Sequence, residues 1–167
     1  HLVAALDEIV RRHEVLRTTF KAGEAGPVQI VASVAELATR RIDLEALGEE
    51  RRGAESRRRL AAEAGRPFDL RAAPLARFLL LRLAAREHLL VLTLHHIVSD
   101  GWSFGVLVRE LAALYRAFAA GEPSRLPELP VQYADFSQWQ RRWLRQEALE
   151  PQLEFWKRRL AGAPAAL

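Results

Sequence analysis

Two adjacent histidines, a serine and an aspartate stand close together in the segment HHIVSDG, residues 95–101. Histidine is the side chain that most readily exchanges a proton near neutral pH, so a neutral imidazole there could serve as a base. An aspartate nearby can orient a cation or cap a helix. We therefore take this segment as the candidate site for acid–base chemistry.

The two histidines end an apolar stretch, residues 88–95, that is typical of a buried β-strand. Successive side chains of a strand point to opposite faces, so only one histidine can line a given cavity. If strand geometry persists, His96 shares a face with Leu94, and His95 shares the other with Thr93. This alternation leaves open which histidine carries the chemistry.

A helix is expected to begin just after the histidines, near Gly101. Ser99 or Asp100 can cap it, and Gly101 allows a ligand or another chain to approach the backbone closely. The positive end of that helix would disfavour a charged imidazole, and so favours a neutral ring that can accept a proton.

Two other kinds of site fit the sequence less well. A metal site needs at least three converging ligands, and His1, His13 and His88 lie in no ligand spacing with the motif. A serine nucleophile would be Ser99 or Ser103, but neither has the glycine-flanked setting that exposes such a serine. We expect neither a metal nor a directly bound cofactor.

The composition indicates a folded chain without special stabilising chemistry. Half of the 167 residues are apolar, which suffices for one domain or a large lobe, and the absence of cysteine excludes disulfides and thiolate chemistry. The chain has no apolar run long enough to cross a bilayer and no signal-peptide pattern, so we expect it in the cytoplasm. It begins inside a predicted helix and lacks methionine, which indicates a segment of a larger protein.

Arginines are frequent between residues 49 and 59, but glutamates alternate with them. Helical spacing then favours a solvated, self-paired face, so we expect no nucleic-acid partner. The formal net charge of +4 is mild for this length.

The apolar patterning predicts a mixture of helices and strands without strict alternation, hence an α+β fold. Residues 75–83 and 88–95 should form the centre of the sheet. The other predicted elements are a helix at 2–13, a hairpin with strands at 16–21 and 28–31 and a turn at 23–27, a short strand at 40–44, a helix at 47–65, a core-facing helix from Gly101 to Gly121, and a last helical region from Phe136 to Leu160.

Three motifs make a family resemblance specific. HHIVSDGWS at 95–103 is similar to the HHxxxDGxS signature of condensation domains in nonribosomal peptide synthetases, members of the chloramphenicol acetyltransferase-like superfamily. RHEVLRTTF at 12–20 resembles the family's RHExLRTxF, and YADFSQW at 133–139 resembles its YxDxxxW. Their order and separation fit as well, so the resemblance covers essentially the whole chain.

The resemblance implies one lobe of a two-lobed fold, with a mostly antiparallel or mixed sheet packed against helices. Residues 1–160 would be the amino-terminal lobe, without the family's first motif and its second lobe, and residues 161–167 would begin the inter-lobe linker. Because the family's substrate channel runs between the lobes, we expect the isolated chain to be inactive.

The resemblance also implies unequal roles within the motif. His96 matches the family's principal catalytic residue, and His95 matches a structural neighbour. Asp100 matches an aspartate that organises the site through an ion pair, and Gly101 matches a close-approach glycine.

Three further residues are candidates for lining the substrate channel or supporting the site. Arg17 could be the cationic partner of Asp100, although that partner could instead lie in the second lobe. Trp102 could wall the channel or simply pack, and Ser103 completes the motif.

The implied reaction joins a donor acyl or peptidyl thioester to the amine of an acceptor aminoacyl thioester. Phosphopantetheine arms of donor and acceptor carrier proteins deliver the two substrates, and further partners would be the carboxy-terminal lobe and an adenylation domain. His96 could act as a base or could position the amine, and the sequence does not separate these roles.

The motifs favour condensation over the sister reactions on this fold. Cyclisation domains carry an aspartate-based motif in place of both histidines, epimerisation domains tend to have serine before tryptophan, and GWSFGVLVREL looks most like the subtype that accepts an L-configured donor. Two alternatives stay open: an acyltransferase that uses coenzyme A thioesters, and a non-catalytic module that recruits carrier proteins.

Overall fold

The computed structural model describes residues 1–24, 26–33, 39–144 and 149–164, and these form the expected α+β fold. The chain divides into two compact units, His1–Pro130 and Val131–Leu167. The elements, in chain order, are α1 (Leu2–Arg12), β1 (Thr18–Gly23), β2 (Gly26–Val31), β3 (Arg40–Asp43), α2 (Glu49–Ala64), β4 (Ala76–Ala84), β5 (Glu87–Leu94), α3 (Gly101–Ala119), α4 (Tyr133–Trp143) and α5 (Leu149–Leu160).

The strands of the first unit form two sheets. β1 and β2 make the predicted antiparallel hairpin, and β3, β4 and β5 lie in that order, with β3 parallel and β5 antiparallel to β4. The mixed sheet is therefore confirmed. β4 is buried on both faces, as Phe78 and Leu79 illustrate, but β5 lies at an edge of the described sheet. Its apolar residues are only half-buried, so the prediction of burial on both faces was wrong for this strand.

Both strands of the hairpin begin at other residues than predicted, β1 at Thr18 and β2 at Gly26 instead of Val28. The residues before β1, Glu14–Arg17, form a 3₁₀ turn, so this strand begins at Thr18 instead of Leu16. The hairpin turn needs Gly26, whose φ of 114° is a conformation that L side chains rarely adopt. Gly121 ends α3 as predicted, also with a positive φ. Part of the predicted turn, residue 25, and part of the predicted linker, residues 165–167, lie outside the described residues.

The main core lies where α1 packs on α3. The alternate residues of β5 that include Leu94 face the same cluster, so the strand before the motif and the helix after it share one core. Within the described ranges, no helix is long and apolar enough to cross a membrane. The buried residues at this contact are Leu6 and Ile9 of α1 and Leu107, Leu111 and Leu114 of α3.

Candidate active site

Residues 95–100 form the short turn that leads from β5 into α3. The backbone N–H of Val98 donates to the carbonyl of His95 at 3.0 Å, and the Val98 side chain is buried in the main core. The turn is thus anchored at both its first residue and its middle. A core contact of this kind restricts the movement of the neighbouring backbone. A catalytic side chain needs such a restricted backbone.

His95 is held by backbone and ring contacts. Its N–H donates to the carbonyl of Leu75 at 3.0 Å, and its ring Nδ1 accepts the backbone N–H of Ile97 at 3.0 Å. The ring also meets Phe68 edge to face, with the centroids 5.8 Å apart. An accepting Nδ1 carries no proton, so a neutral His95 ring has its proton on Nε2. The half-buried His95 is thus held by contacts within the chain, and its role as a structural neighbour of His96 stays a prediction.

His96 is exposed at the start of the turn. β5 ends at Leu94, so both histidines lie beyond the strand, and the alternation of strand side chains does not extend to them. In the part of the chain that the structure describes, no group forms a hydrogen bond to the His96 ring. A ring in this position is accessible to a substrate.

Asp100 is the N-cap of α3. Its Oδ1 accepts the backbone N–H of Ser103 at 2.8 Å and the Ser103 hydroxyl at 2.5 Å, and the Asp100 N–H donates back to that hydroxyl oxygen. These contacts form a capping box. The hydrogen bond from the Ser103 hydroxyl, followed by that from its N–H, holds the pKa of Asp100 below its ordinary value. Of the two capping residues that the sequence allowed, Asp100 performs the role, while the Ser99 hydroxyl donates to the His95 carbonyl.

The surface at the start of α3 is open. A Cβ built at Gly101 meets no described atom within 4 Å, so packing inside this chain does not demand glycine there. The side chain of Trp102 is 85% exposed, so it takes no packing role in this structure. Both observations fit the expectation that substrate or another part of the protein approaches here.

Arg17 does not pair with Asp100 in this structure. Its guanidinium donates to the carbonyl of Ala32 and to the carboxylate of Glu14, at 3.3 Å for the latter. Its position at the end of the 3₁₀ turn directs it toward the β1–β2 hairpin instead. An ion pair of Asp100 with a residue of the second lobe remains a prediction.

A part-buried ion-pair network that was not predicted from the sequence joins α1 to α3. Arg12, only 3% exposed, donates from Nε to Glu110 of α3 at 3.2 Å and from Nη2 to the carbonyl of Pro127 at 2.9 Å. His13 Nε2 lies 2.9 Å from the same carboxylate oxygen. Burial raises the pKa of Glu110, but the hydrogen bonds from His13 and Arg12 outweigh it and leave the pKa lowered. The charged triplet RHE at 12–14 was the only sign of this network in the sequence. Its partner Glu110 could not be predicted, because it lies 98 residues after Arg12.

Among the described residues, no three histidine, aspartate or glutamate side chains converge as metal ligands. The hydroxyls of Ser99 and Ser103 bond to the turn and to the helix cap, and neither is paired with a histidine ring.

Comparisons with known proteins bear on the family and the fold of this chain. A family model described as "Condensation domain" matches residues 1–167. Chondramide synthase cmdD of Chondromyces crocatus is 51% identical over 160 residues, which are 96% of this chain and 4% of that protein. Phosphinothricin tripeptide synthetase PhsC of Streptomyces viridochromogenes is 47% identical over 163 residues, 98% of this chain and 15% of that protein.

A solved structure of a condensation domain has the same fold. This structure describes the molecular basis of condensation domain-mediated chain release from the enacyloxin polyketide synthase. It matches this chain with 27% sequence identity and a TM-score of 0.78. The match covers 98% of this chain and 31% of that one. The chain thus spans about a third of the solved structure and a small part of the synthetases.

Proposed function

Because the chain belongs to the condensation-domain family, we propose that it takes part in amide-bond formation during nonribosomal peptide synthesis. The donor acyl or peptidyl thioester and the acceptor aminoacyl thioester are both carried on phosphopantetheine arms of carrier proteins. The observation that supports this proposal most directly is the exposed His96, which follows a fixed His95 and precedes a capped helix.

The proposed chemistry balances without a further reagent. The acceptor nitrogen attacks the donor carbonyl carbon, the C–N bond forms, the C–S bond breaks, and the donor arm leaves as a thiol. An α-amino group has a pKa of about 7.7 to 8.0, so at neutral pH a large share must lose a proton before it can attack. His96 takes up that proton or holds the amine at the carbonyl, and the exposed ring permits both roles.

The chain contributes the histidine motif, and we propose that the rest of the domain contributes the facing wall of the channel. The open surface at Gly101 and Trp102 supports this division. The carboxy-terminal lobe, an adenylation domain and the two carrier proteins are accordingly the proposed partners. We further propose that the chain on its own does not catalyse the reaction.

The deciding experiment compares His96→Ala with His88→Ala in the complete domain, with loaded donor and acceptor carriers. His88 is an exposed histidine of β5, away from the turn, and therefore serves as the matched control. We expect His96→Ala to lose a factor of about 100 or more in single-turnover yield, the range for a positioned acid–base group, and His88→Ala to retain it. Near-normal yield from His96→Ala would exclude the catalytic role.

The same assay separates the coenzyme A alternative from the carrier-dependent reaction. We expect condensation only when both substrates are bound to carriers. Equal rates with a free coenzyme A donor would favour the simpler acyltransferase. Binding of carriers without any product would favour a recruiting module.

A further inference from the structure

One aromatic residue outside the motif contacts the turn that carries it. The ring of Phe68, in the loop after α2, meets the His95 ring edge to face with centroids 5.8 Å apart. The guanidinium carbon of Arg77 lies 3.8 Å from the centroid of the same Phe68 ring. Phe68 thus connects a cation of β4 to the first histidine of the motif.

The Arg77 guanidinium is itself fixed. It donates to the buried carboxylate of Glu63 and to three backbone carbonyls, those of Glu63, Arg66 and Pro67. Only 13% of its side chain is exposed. A planar group with this many bonds has little freedom, so the face that it offers to Phe68 is constant.

His95 in turn has few ways to move while Phe68 is in place. Its ring Nδ1 accepts a hydrogen bond from the backbone N–H of Ile97. Its backbone N–H donates to the carbonyl of Leu75. An edge-to-face aromatic contact sets the angle of the ring, here 85° between the two planes. Without it, the imidazole could rotate, the Ile97 bond would weaken, and the backbone that begins His96 would lose a restraint.

We propose that Phe68 is a positioning residue for His95 and, through the turn, for His96, with Arg77 and Glu63 as its support. The inference rests on the proposed catalytic role of His96. Phe68 touches no substrate in this scheme, so its loss should affect the rate of the chemical step more than substrate binding. A displacement of about 1 Å at a reacting group can reduce a rate by a factor of about 100.

The test uses Phe68→Leu, Phe68→Tyr and a matched control, Phe118→Leu, in the complete domain with loaded carriers. Phe118 is another half-buried phenylalanine against the same core, at the far end of α3. We expect Phe68→Leu to lower kcat by a factor of about 10 or more while KM for the loaded acceptor carrier stays within about twofold. Phe68→Tyr keeps the aromatic ring at a residue that lines a cavity of about 550 Å³, so we expect it to restore kcat. Phe118→Leu should leave kcat near the wild-type value.

A spectroscopic measurement gives an independent result. The ¹⁵N and ¹H signals of the His95 ring should report an unprotonated Nδ1 in the wild type and in Phe118→Leu, and a changed pattern in Phe68→Leu. If Phe68→Leu fails to fold, Arg77→Lys replaces it, because lysine cannot make the four bonds or the flat contact. Its control is Arg82→Lys, on the same strand but paired with Asp43 and Glu45 at the surface. The expected result is again a loss of kcat in the first variant alone.

The inference is overturned if Phe68→Leu, or Arg77→Lys in its place, loses no more kcat than its control, or if Phe68→Tyr fails to restore activity. His96→Ala measured in parallel distinguishes this from a failure of the proposed function. If His96→Ala is inactive while Phe68→Leu is normal, only the positioning role is wrong. If His96→Ala is fully active, both proposals are wrong.

Discussion

At the scale of single residues, Asp100 has one role that the structure shows, the helix cap, and one that remains a prediction, an ion pair. The structure accounts for it as the N-cap of α3, and the hydrogen bonds from Ser103 explain why its pKa is lowered. The family resemblance implies an ion pair as well. A carboxylate has about four lone-pair sites, so the cap leaves capacity for a cation from the rest of the domain.

Asparagine and alanine at position 100 separate these roles. Asparagine caps helices about as well as aspartate but carries no charge. Alanine neither caps the helix nor carries a charge. We expect Asp100→Asn to keep the wild-type hydrogen-exchange protection at the Ser103 amide, which donates to the Asp100 side chain, and Asp100→Ala to lose it. If the ion pair exists, Asp100→Asn still lowers single-turnover condensation in the complete domain, by a factor of about 10. Wild-type condensation by Asp100→Asn would mean that the cap is the whole role.

At the scale of secondary-structure elements, the contact between α1 and α3 determines where the motif helix lies. Besides its apolar part, this contact includes the buried side chain of Arg12, which is bonded to Glu110 and to the carbonyl of Pro127. A buried charge without its partner is strongly destabilising, even where the intact pair adds little. The pair therefore ties the helix that Asp100 caps to the first helix of the chain.

Removal of the Glu110 carboxylate should destabilise the complete domain. We expect Glu110→Ala to lower the free energy of unfolding by about 3 kcal/mol in denaturant titrations, because Arg12 keeps only part of its bonding. Glu110→Gln should cost less, since the amide still accepts a hydrogen bond. Glu154→Ala, which breaks an exposed pair with Lys157 on α5, should leave the value unchanged within error and serves as the control.

The lowered pKa of Glu110 also gives this pair a defined pH dependence. A carboxyl group whose pKa is lower in the folded state contributes its stability above the pKa of the unfolded state, about 4.3 for glutamate, and loses it as the pH falls through the folded value. The difference in unfolding free energy between wild type and Glu110→Gln should therefore shrink from about pH 7 to about pH 3. A difference that stays constant over this range would contradict the assignment.

The sequence predicted the elements better than the contacts between them. Hydrophobic periodicity located the helices and most strands within a few residues, and three motifs identified the family. The Arg12–Glu110 pair and the Phe68–His95 contact were missed because each joins residues that are distant in sequence and have no shared spacing. The half-buried state of β5 was missed for a related reason, since an apolar run does not tell a central strand from an edge strand.

At the scale of the whole molecule, the first unit has an apolar face that its own core does not use. Phe104, Val108 and Tyr115 recur along α3 on the flank next to the buried leucines, and they are 46%, 44% and 46% exposed. Contiguous apolar surface of this kind commonly marks a site of contact with another protein segment. The chain also spans only about a third of the solved condensation domain.

These observations lead to a prediction for the chain expressed alone. The proposed channel needs a second wall to hold two carrier arms in register, and holding both reactants accounts for much of the acceleration in a two-substrate reaction. We therefore expect residues 1–167 to give no product above the uncatalysed rate with loaded carriers, while the same residues within the complete domain give full yield. The complete domain with His96→Ala supplies the baseline, so that the isolated chain is compared with an intact fold that lacks only the imidazole. Product from the isolated chain that disappears on His96→Ala would mean that this lobe binds both carrier arms and performs the transfer without its partner.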